Sequence, residues 1–220
     1  MDFVPDATES FARTLAPDPD EVIEEMDRKA ERESFPTVGP AVGGWLRLLA
    51  RTTDAERVFE FGSGFGYSAY WVAPALPADG EIVLTEIDAD ELDEAREYLE
   101  RGGYADRARF EHGDAIDTVE RYDGPFDLVL IDNEKDRYTE AFESVREKVA
   151  VGGVVAADNV ITSATVDAAD VRALLSGESV DATDTSRGIA DYLERLGEDP
   201  AFETGLLPLG EGVSVSVRTQ

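Results

Sequence analysis

The chain has 220 residues, 42% of them hydrophobic, which suits one well-buried globular domain and leaves little room for two. No apolar run reaches the roughly 18 residues of a membrane helix, and the absence of cysteine excludes disulfides and thiolate chemistry. With 49 acidic against 20 basic residues the formal net charge is −29, which argues against a broad nucleic-acid face built from clustered Lys and Arg. The acids are spread along the chain rather than gathered in a tail, a pattern that reads as halophilic adaptation to a salt-filled cytoplasm. The competing reading is a surface that recruits cations or repels partners. The N-terminal MDFVPDATESFART is acidic and has neither a basic leader nor an apolar core, so no secretory signal is read and a cytoplasmic location is expected.

Apolar residues at three- and four-residue spacing predict helices over 20–33 and 41–51, separated by a breaker-rich loop, Phe35 to Pro40. From residue 57 the pattern changes. Arg57 to Phe61 reads as a strand ending in glycines, followed by a helical YSAYWVAPAL. Glu81 to Glu86 is a second strand, Asp90 to Arg101 a charged helix, and Ala108 to Glu111 a third strand. Phe126 to Ile131 is the clearest strand, entered from Gly124-Pro125; a helix follows over 137–148 and a fifth strand over 153–157. Strands and helices alternating at this interval predict an α/β fold with a parallel sheet covered on both faces. The end differs: Phe202 to Leu209 and Gly212 to Val217 read as an antiparallel hairpin joined at Gly210-Glu211. One domain over 1–220 is expected, with residues 1–51 a helical cap and 57–220 the cofactor-binding sheet and hairpin.

The loop Glu60-Phe61-Gly62-Ser63-Gly64-Phe65-Gly66 lies at a strand-to-helix turn, where glycine lets the backbone approach a ligand. A tight turn with no ligand is the plain alternative. A dinucleotide fingerprint fails, because its sixth position, counted from Gly62, is Tyr67. Alternate glycines behind an acid suit a ligand with an amino-acid part and a nucleoside. Glu86, ending the second strand, is placed to accept from both hydroxyls of a ribose, or is simply an exposed acid. Asp114, in Gly113-Asp114-Ala115, is placed to accept from an adenine amino group. Successive strand ends of an open α/β sheet form one ligand crevice.

Two further strand ends carry Asp132 and the pair Asp158-Asn159. Their oxygens suit a hard cation with positions left open: Mg²⁺, or else Mn²⁺ or Ca²⁺. Zinc is disfavoured without cysteine and with His112, read as structural, the single histidine. A metal at a hydroxyl oxygen stabilises the anion that a phenol of pKa ~10 must form. Lys135 is one of only three lysines, with Lys29 and Lys148. It would accept the proton if neighbouring cations lowered its pKa; the plain reading is a surface lysine at a helix start.

With these motifs in place, the chain from about Phe35 onward resembles the cation-dependent O-methyltransferases, which include the catechol and caffeoyl-CoA enzymes. The resemblance implies the Rossmann-like class I methyltransferase fold, a seven-stranded, mostly parallel sheet with an antiparallel C-terminal hairpin. It also implies S-adenosylmethionine (SAM) as methyl donor. On it, Glu60, Gly62, Ser63, Gly64 and Ser68 form the donor loop, with Ser68 at the methionine carboxylate. Val38 closes over the methionine end, Glu86 holds ribose, and Asp114 and Ala115 meet adenine. Asp132 and Glu134 border the donor; Asp132, Asp158 and Asn159 hold the metal; Lys135 and Asp132 are catalytic. The tail Asp199 to Gly212 resembles the family's closing hairpin, and a homodimer is implied. One departure concerns the acceptor: many relatives follow the Asp-Asn pair with tryptophan and glycine, whereas this chain reads Val160-Ile161-Thr162-Ser163, with no aromatic wall at Thr162. The expected acceptor is a small hydroxylated molecule, and no membrane is involved. Alternatives are a hydroxylated uridine in tRNA, and a SAM-binding protein without catalysis.

Overall fold

The computed structural model describes residues 5–220, so the first four residues of the expected cap, and of the N-terminal stretch read above, lie outside the described residues. In chain order the elements are α1 (Asp6–Arg13), α2 (Glu21–Glu33), α3 (Gly39–Thr52), β1 (Arg57–Phe61), α4 (Tyr67–Val72), β2 (Glu81–Glu86), α5 (Ala89–Gly102) and β3 (Ala108–His112). They continue with α6 (Ala115–Val119), β4 (Phe126–Ile131), α7 (Tyr138–Val145), β5 (Val149–Ala157), α8 (Ala168–Leu175), α9 (Asp184–Glu198), β6 (Phe202–Leu207) and β7 (Val213–Arg218). Among the described residues the strands make one seven-stranded sheet in the order β3-β2-β1-β4-β5-β7-β6. The pairs from β3 through β5 are parallel, and β7 runs antiparallel to both β5 and β6. Strand order reverses between β1 and β4, which opens a crevice beyond their C-terminal ends.

The period-two alternation of the strands divides the core. On one face Val58, Leu84, Leu128, Leu130, Val154 and Ala156 pack with residues of α2, α3, α4 and α5. On the other, Phe59, Phe61, Val129, Ile131, Val155 and Ala157 pack with residues of α6, α7 and α9. Burying both faces explains why the central strands read as nearly continuous apolar runs.

Several boundaries differ from the sequence reading. β5 begins at Val149, ahead of the predicted 153. Its pairing with β4 jumps from Phe126↔Val149 to Leu128↔Val154, so Gly152 and Gly153 lie within an irregularity of one longer strand. The predicted helix over 137–148 is α7 flanked by short tighter turns over 135–137 and 146–148. Three helices, α1, α8 and α9, fill stretches in which no element was read, and the short α6 follows Asp114. α9 buries Ile189, Tyr192 and Leu196, spaced three and four apart, and Thr183 caps it by accepting from the Ser186 N–H at 3.1 Å. No described helix is long and apolar enough to cross a membrane.

Candidate active site

β1 delivers the chain into the glycine loop, whose conformation its sequence dictates. Gly62 (φ 78°) and Gly66 (φ 82°) are left-handed. A Cβ on Gly62 would lie 2.8 Å from the Asp132 carbonyl oxygen, and one on Gly66 2.8 Å from Ala95 Cβ. The glycines therefore let the loop press against the end of β4 on one side and α5 on the other. Inside the turn, the buried Glu60 accepts from the Ser68 hydroxyl through Oε1 while Oε2 has no partner. Burial pushes the Glu60 carboxyl up to about 8, reinforced by the charges of Asp132 and Glu86.

Glu86 is anchored from three sides. Its Oε2 accepts from the Gly64 N–H at 2.8 Å, and its Oε1 accepts from the N–H groups of Ile87 at 2.7 Å and Asp88 at 3.0 Å. Its orientation is thus set before any ligand arrives. Glu91 lies in the first turn of α5, and burial together with the charges of Glu86 and Asp88 pushes its carboxyl up to about 7. At the end of β3, Asp114 caps α6 by accepting from the Ile116 N–H at 2.8 Å and pairs with Arg137 at 2.7 Å. Burial works against ionisation there, but the Arg137 guanidinium and the Ile116 N–H outweigh it and hold the carboxyl below the usual carboxylate range.

The ends of β4 and β5 supply the remaining groups. Asp132 Oδ1 accepts from Lys135 Nζ at 2.7 Å, and that ammonium lies 5.1 Å from the centre of the Tyr138 ring. Tyr138 in turn donates its hydroxyl to the Asp158 carbonyl at 3.0 Å, tying the two strand ends together. Asp158 is buried, and its Oδ1 has no hydrogen-bond partner. Burial, with Asp132 as its charged neighbour, pushes its carboxyl up to about 8. Asn159 adopts a left-handed conformation, φ 60°, and donates its Nδ2 to Glu211 Oε2 in the β6–β7 turn.

These residues line two adjoining cavities. The larger, about 360 Å³, is walled by Val38, Gly62, Ser63, Gly64, Ser68, Glu86, Asp132, Lys135, Asp158 and Asn159, among others. The smaller, about 180 Å³, is walled by Asp114, Ala115 and Glu134 together with Gly62, Glu86 and Asp132. Every candidate from the sequence borders one of them except Glu60, which stands behind Ser68. Sequence reasoning missed Phe35, Glu91, Ser163, Ala164 and Glu211 in the larger cavity, and Ile87, Asn133 and Arg137 in the smaller. Phe35, set edge-on to Phe65 with ring centres 4.9 Å apart, supplies aromatic surface that Thr162 does not. Glu211 was legible only as half of a turn, because its approach to Asn159 spans 52 residues.

Among the described residues no group of three or more His, Cys, Asp and Glu side chains is arranged to hold a metal ion. The set at hand is smaller: two carboxylates and a carboxamide. The partnerless buried oxygen of Asp158 and the hard, all-oxygen donor set fit Mg²⁺, which keeps several water ligands and needs few from protein. The two cavities adjoin, bordered where β4 and β5 end by two carboxyl groups and a carboxamide.

A sequence model described as O-methyltransferase matches residues 14–219. A catechol O-methyltransferase of Niastella koreensis is 36% identical over 129 residues, covering 57% of this chain and 58% of that protein. A caffeoyl-CoA O-methyltransferase of Eucalyptus gunnii is 28% identical over 190 residues, 81% of this chain and 72% of its own length. An O-methyltransferase from Bacillus cereus, solved in complex with SAH, superposes with a TM-score of 0.81 at 25% identity, covering 96% of this chain and 97% of that one. TomG of Streptomyces achromogenes, solved with SAM, gives 0.83 at 24% identity over 97% of this chain and 96% of its own, a likeness of fold.

Proposed function

The chain belongs to the O-methyltransferase family, and we propose that it moves the methyl group of SAM to a hydroxyl of a small acceptor with the help of a divalent cation. The observation that carries the cation half of this reading is the buried, partnerless Asp158 Oδ1 beside Asp132. Burial alone favours the neutral acid at Asp158; a hard cation is the partner that would hold it as a carboxylate, and one this donor set suits.

In this reading the glycine loop and Ser68 receive the methionine end of the donor, with Val38 closing over it. Glu60 fixes Ser68 from behind. Glu86, its orientation set by the Gly64, Ile87 and Asp88 N–H groups, accepts from the ribose. Ala115 and Asp114 bound the adenine pocket, with Asp114 held in place by Arg137, and Glu134 completes that wall. Asp132, Asp158 and Asn159 would hold the cation, preferably Mg²⁺, which when bound stabilises the acceptor oxygen as it loses its proton. Lys135, 2.7 Å from Asp132 Oδ1, would receive that proton as the neutral amine, having first released to solvent the proton it holds in the ion pair. Alignment of acceptor oxygen and sulfonium methyl does most of the rest, because displacement at carbon is governed by geometry.

The wall also bears on the acceptor. Glu86, Glu91, Asp132, Asp158 and Glu211 face the larger cavity, while Lys135 is the one cation among its described lining residues. A neutral or cationic hydroxylated acceptor suits this field. A thioester of coenzyme A, with its phosphates, finds no arginine there, and the same holds for a tRNA backbone. Phe35 and Pro36 offer an apolar surface for a ring.

We further propose a homodimer. Phe11 on α1, Leu15 in the turn after it, and Trp45 and Leu48 on α3 are exposed, around a cavity of about 590 Å³ whose described lining includes Arg47 and Arg51 and no acid. On a chain of charge −29, an apolar surface free of acids and bearing arginines is where a second, equally acidic copy meets least repulsion.

The acceptor assignment is tested by SAH release with a catecholamine, an uncharged catechol and caffeoyl-CoA as competing acceptors in molar KCl with Mg²⁺. Higher kcat/KM for the first two is the expected order. Preference for caffeoyl-CoA would overturn the acceptor assignment and leave donor and chemistry standing.

A further inference from the structure

The turn joining β6 to β7 does more than close a hairpin. Its backbone is bonded to the segment that follows β5: Val160 N–H donates to the Gly212 carbonyl at 3.0 Å, and Ile161 and Thr162 N–H groups both donate to the Glu211 carbonyl at 3.1 Å. The approach is tight enough that a Cβ on Gly212, whose φ is 91°, would lie 2.3 Å from Ile161 Cγ1. On the other side, a Cβ on Gly210 would lie 3.0 Å from Val42 Cγ2, in the helix that follows Val38. Glu211 is thus held between the entrance of α3 and the end of β5, and it borders the larger cavity. From there its Oε2 accepts from Asn159 Nδ2.

That contact has a direction. A carboxamide has one donor end and one acceptor end, whereas a carboxylate only accepts. Facing Glu211, Asn159 must turn its nitrogen toward the carboxylate, which leaves Oδ1 on the opposite side of the group. The left-handed backbone at Asn159 and the backbone clamp on the residues immediately after it limit other ways of presenting the side chain.

We propose that Glu211 is a positioning residue that locks the Asn159 carboxamide with its oxygen turned toward Asp132 and Asp158, and so sets the affinity of that site for a divalent cation. The inference rests on the cation reading above and adds to it a residue from the far end of the chain. It also gives a reason for asparagine at 159: aspartate there would set two carboxylates against each other.

The probe is Mn²⁺ alone, without donor or acceptor, titrated into the full chain in molar KCl and followed by calorimetry and by the paramagnetic resonance of free Mn²⁺. Glu211→Leu is expected to weaken Mn²⁺ binding by about 10- to 100-fold, the usual cost of losing a group that orients a metal ligand. Asn159→Asp alone is expected to weaken binding despite its added negative charge. Asn159→Asp combined with Glu211→Gln is expected to recover the wild-type affinity, because the glutamine amide can donate to the new carboxylate. This pair keeps the test open even if Glu211→Leu fails to fold. Glu211→Leu within twofold of wild type, Asn159→Asp binding more tightly than wild type, or a double variant no tighter than Asn159→Asp would each overturn the proposal. A wild-type chain that binds no Mn²⁺ would overturn the cation reading itself, and this inference with it.

Discussion

Two buried carboxyls, Glu60 and Asp158, each lack a partner for one oxygen, and each is pushed up to about 8 by burial. They differ in surroundings. Asp158 borders the cavity beside Asp132, whereas Glu60 stands behind Ser68 in the packed turn. Glu60 therefore acts on the fold. Between about 4.5, its ordinary value, and about 8, the folded chain holds a proton that the unfolded chain has released. Its contribution to stability is then lost as pH rises through that window. Glu60→Gln keeps the hydrogen bond to Ser68 and removes the titration. Melting temperatures of the two proteins followed from pH 5 to pH 8 should diverge, the wild type losing ground as pH rises; parallel curves would contradict the account. At this scale the sequence was informative wherever chemistry sits at a strand end, as with Glu86, Asp132 and Asp158. It could not show that Asp114 is already engaged by Arg137, since that pairing depends on how α6 and the turn after β4 pack.

The elements show where periodicity suffices and where it does not. β1, β2 and β4 begin and end as predicted, because runs of apolar residues buried on both faces have only one way to sit in a parallel sheet. α9 went unread although Ile189, Tyr192 and Leu196 carry the helical spacing, since glycine at 188 and 197 and the charges among them dilute the pattern. Gly188 has a structural reason. A Cβ there would lie 2.4 Å from Asp136 Cα and 2.6 Å from the Lys135 carbonyl oxygen, so α9 is the backing against which the Lys135 turn rests. Gly188→Ala is expected to cost about 1–3 kcal/mol by overpacking and to lower kcat more than it alters donor affinity, because it shifts Lys135 and not the glycine loop. Denaturant unfolding together with steady-state kinetics reads both. An unchanged kcat would show that the turn does not depend on α9. The turn between β6 and β7 is legible at Gly210-Glu211, but its approach to Asn159 is not, because contacts between distant elements leave no local period.

For the whole molecule, charge dominates. At −29 the compact state repels itself, and raising KCl from 0.1 M, where the Debye length is ~10 Å, to 1 M, where it is ~3 Å, should raise the melting temperature progressively. A melting temperature insensitive to KCl would remove the reading of the acidity as salt adaptation. The same screening should favour association through the acid-free surface around Trp45. Trp45→Glu is expected to leave a monomer by sedimentation in molar KCl, where the wild type is expected to sediment as a dimer; a wild-type monomer would refute that interface.

Cation-assisted methyl transfer is tested by SAH release from SAM with a catechol acceptor in molar KCl, measured with Mg²⁺, with chelator, and with Lys135→Met. Turnover is expected with Mg²⁺, with loss on chelation and recovery on adding Mg²⁺ back. For Lys135→Met a fall in kcat of about 10²- to 10⁴-fold is expected, the range for a positioned proton acceptor, with SAM still bound. Full turnover in chelator, or a Lys135→Met variant as fast as wild type, would contradict it.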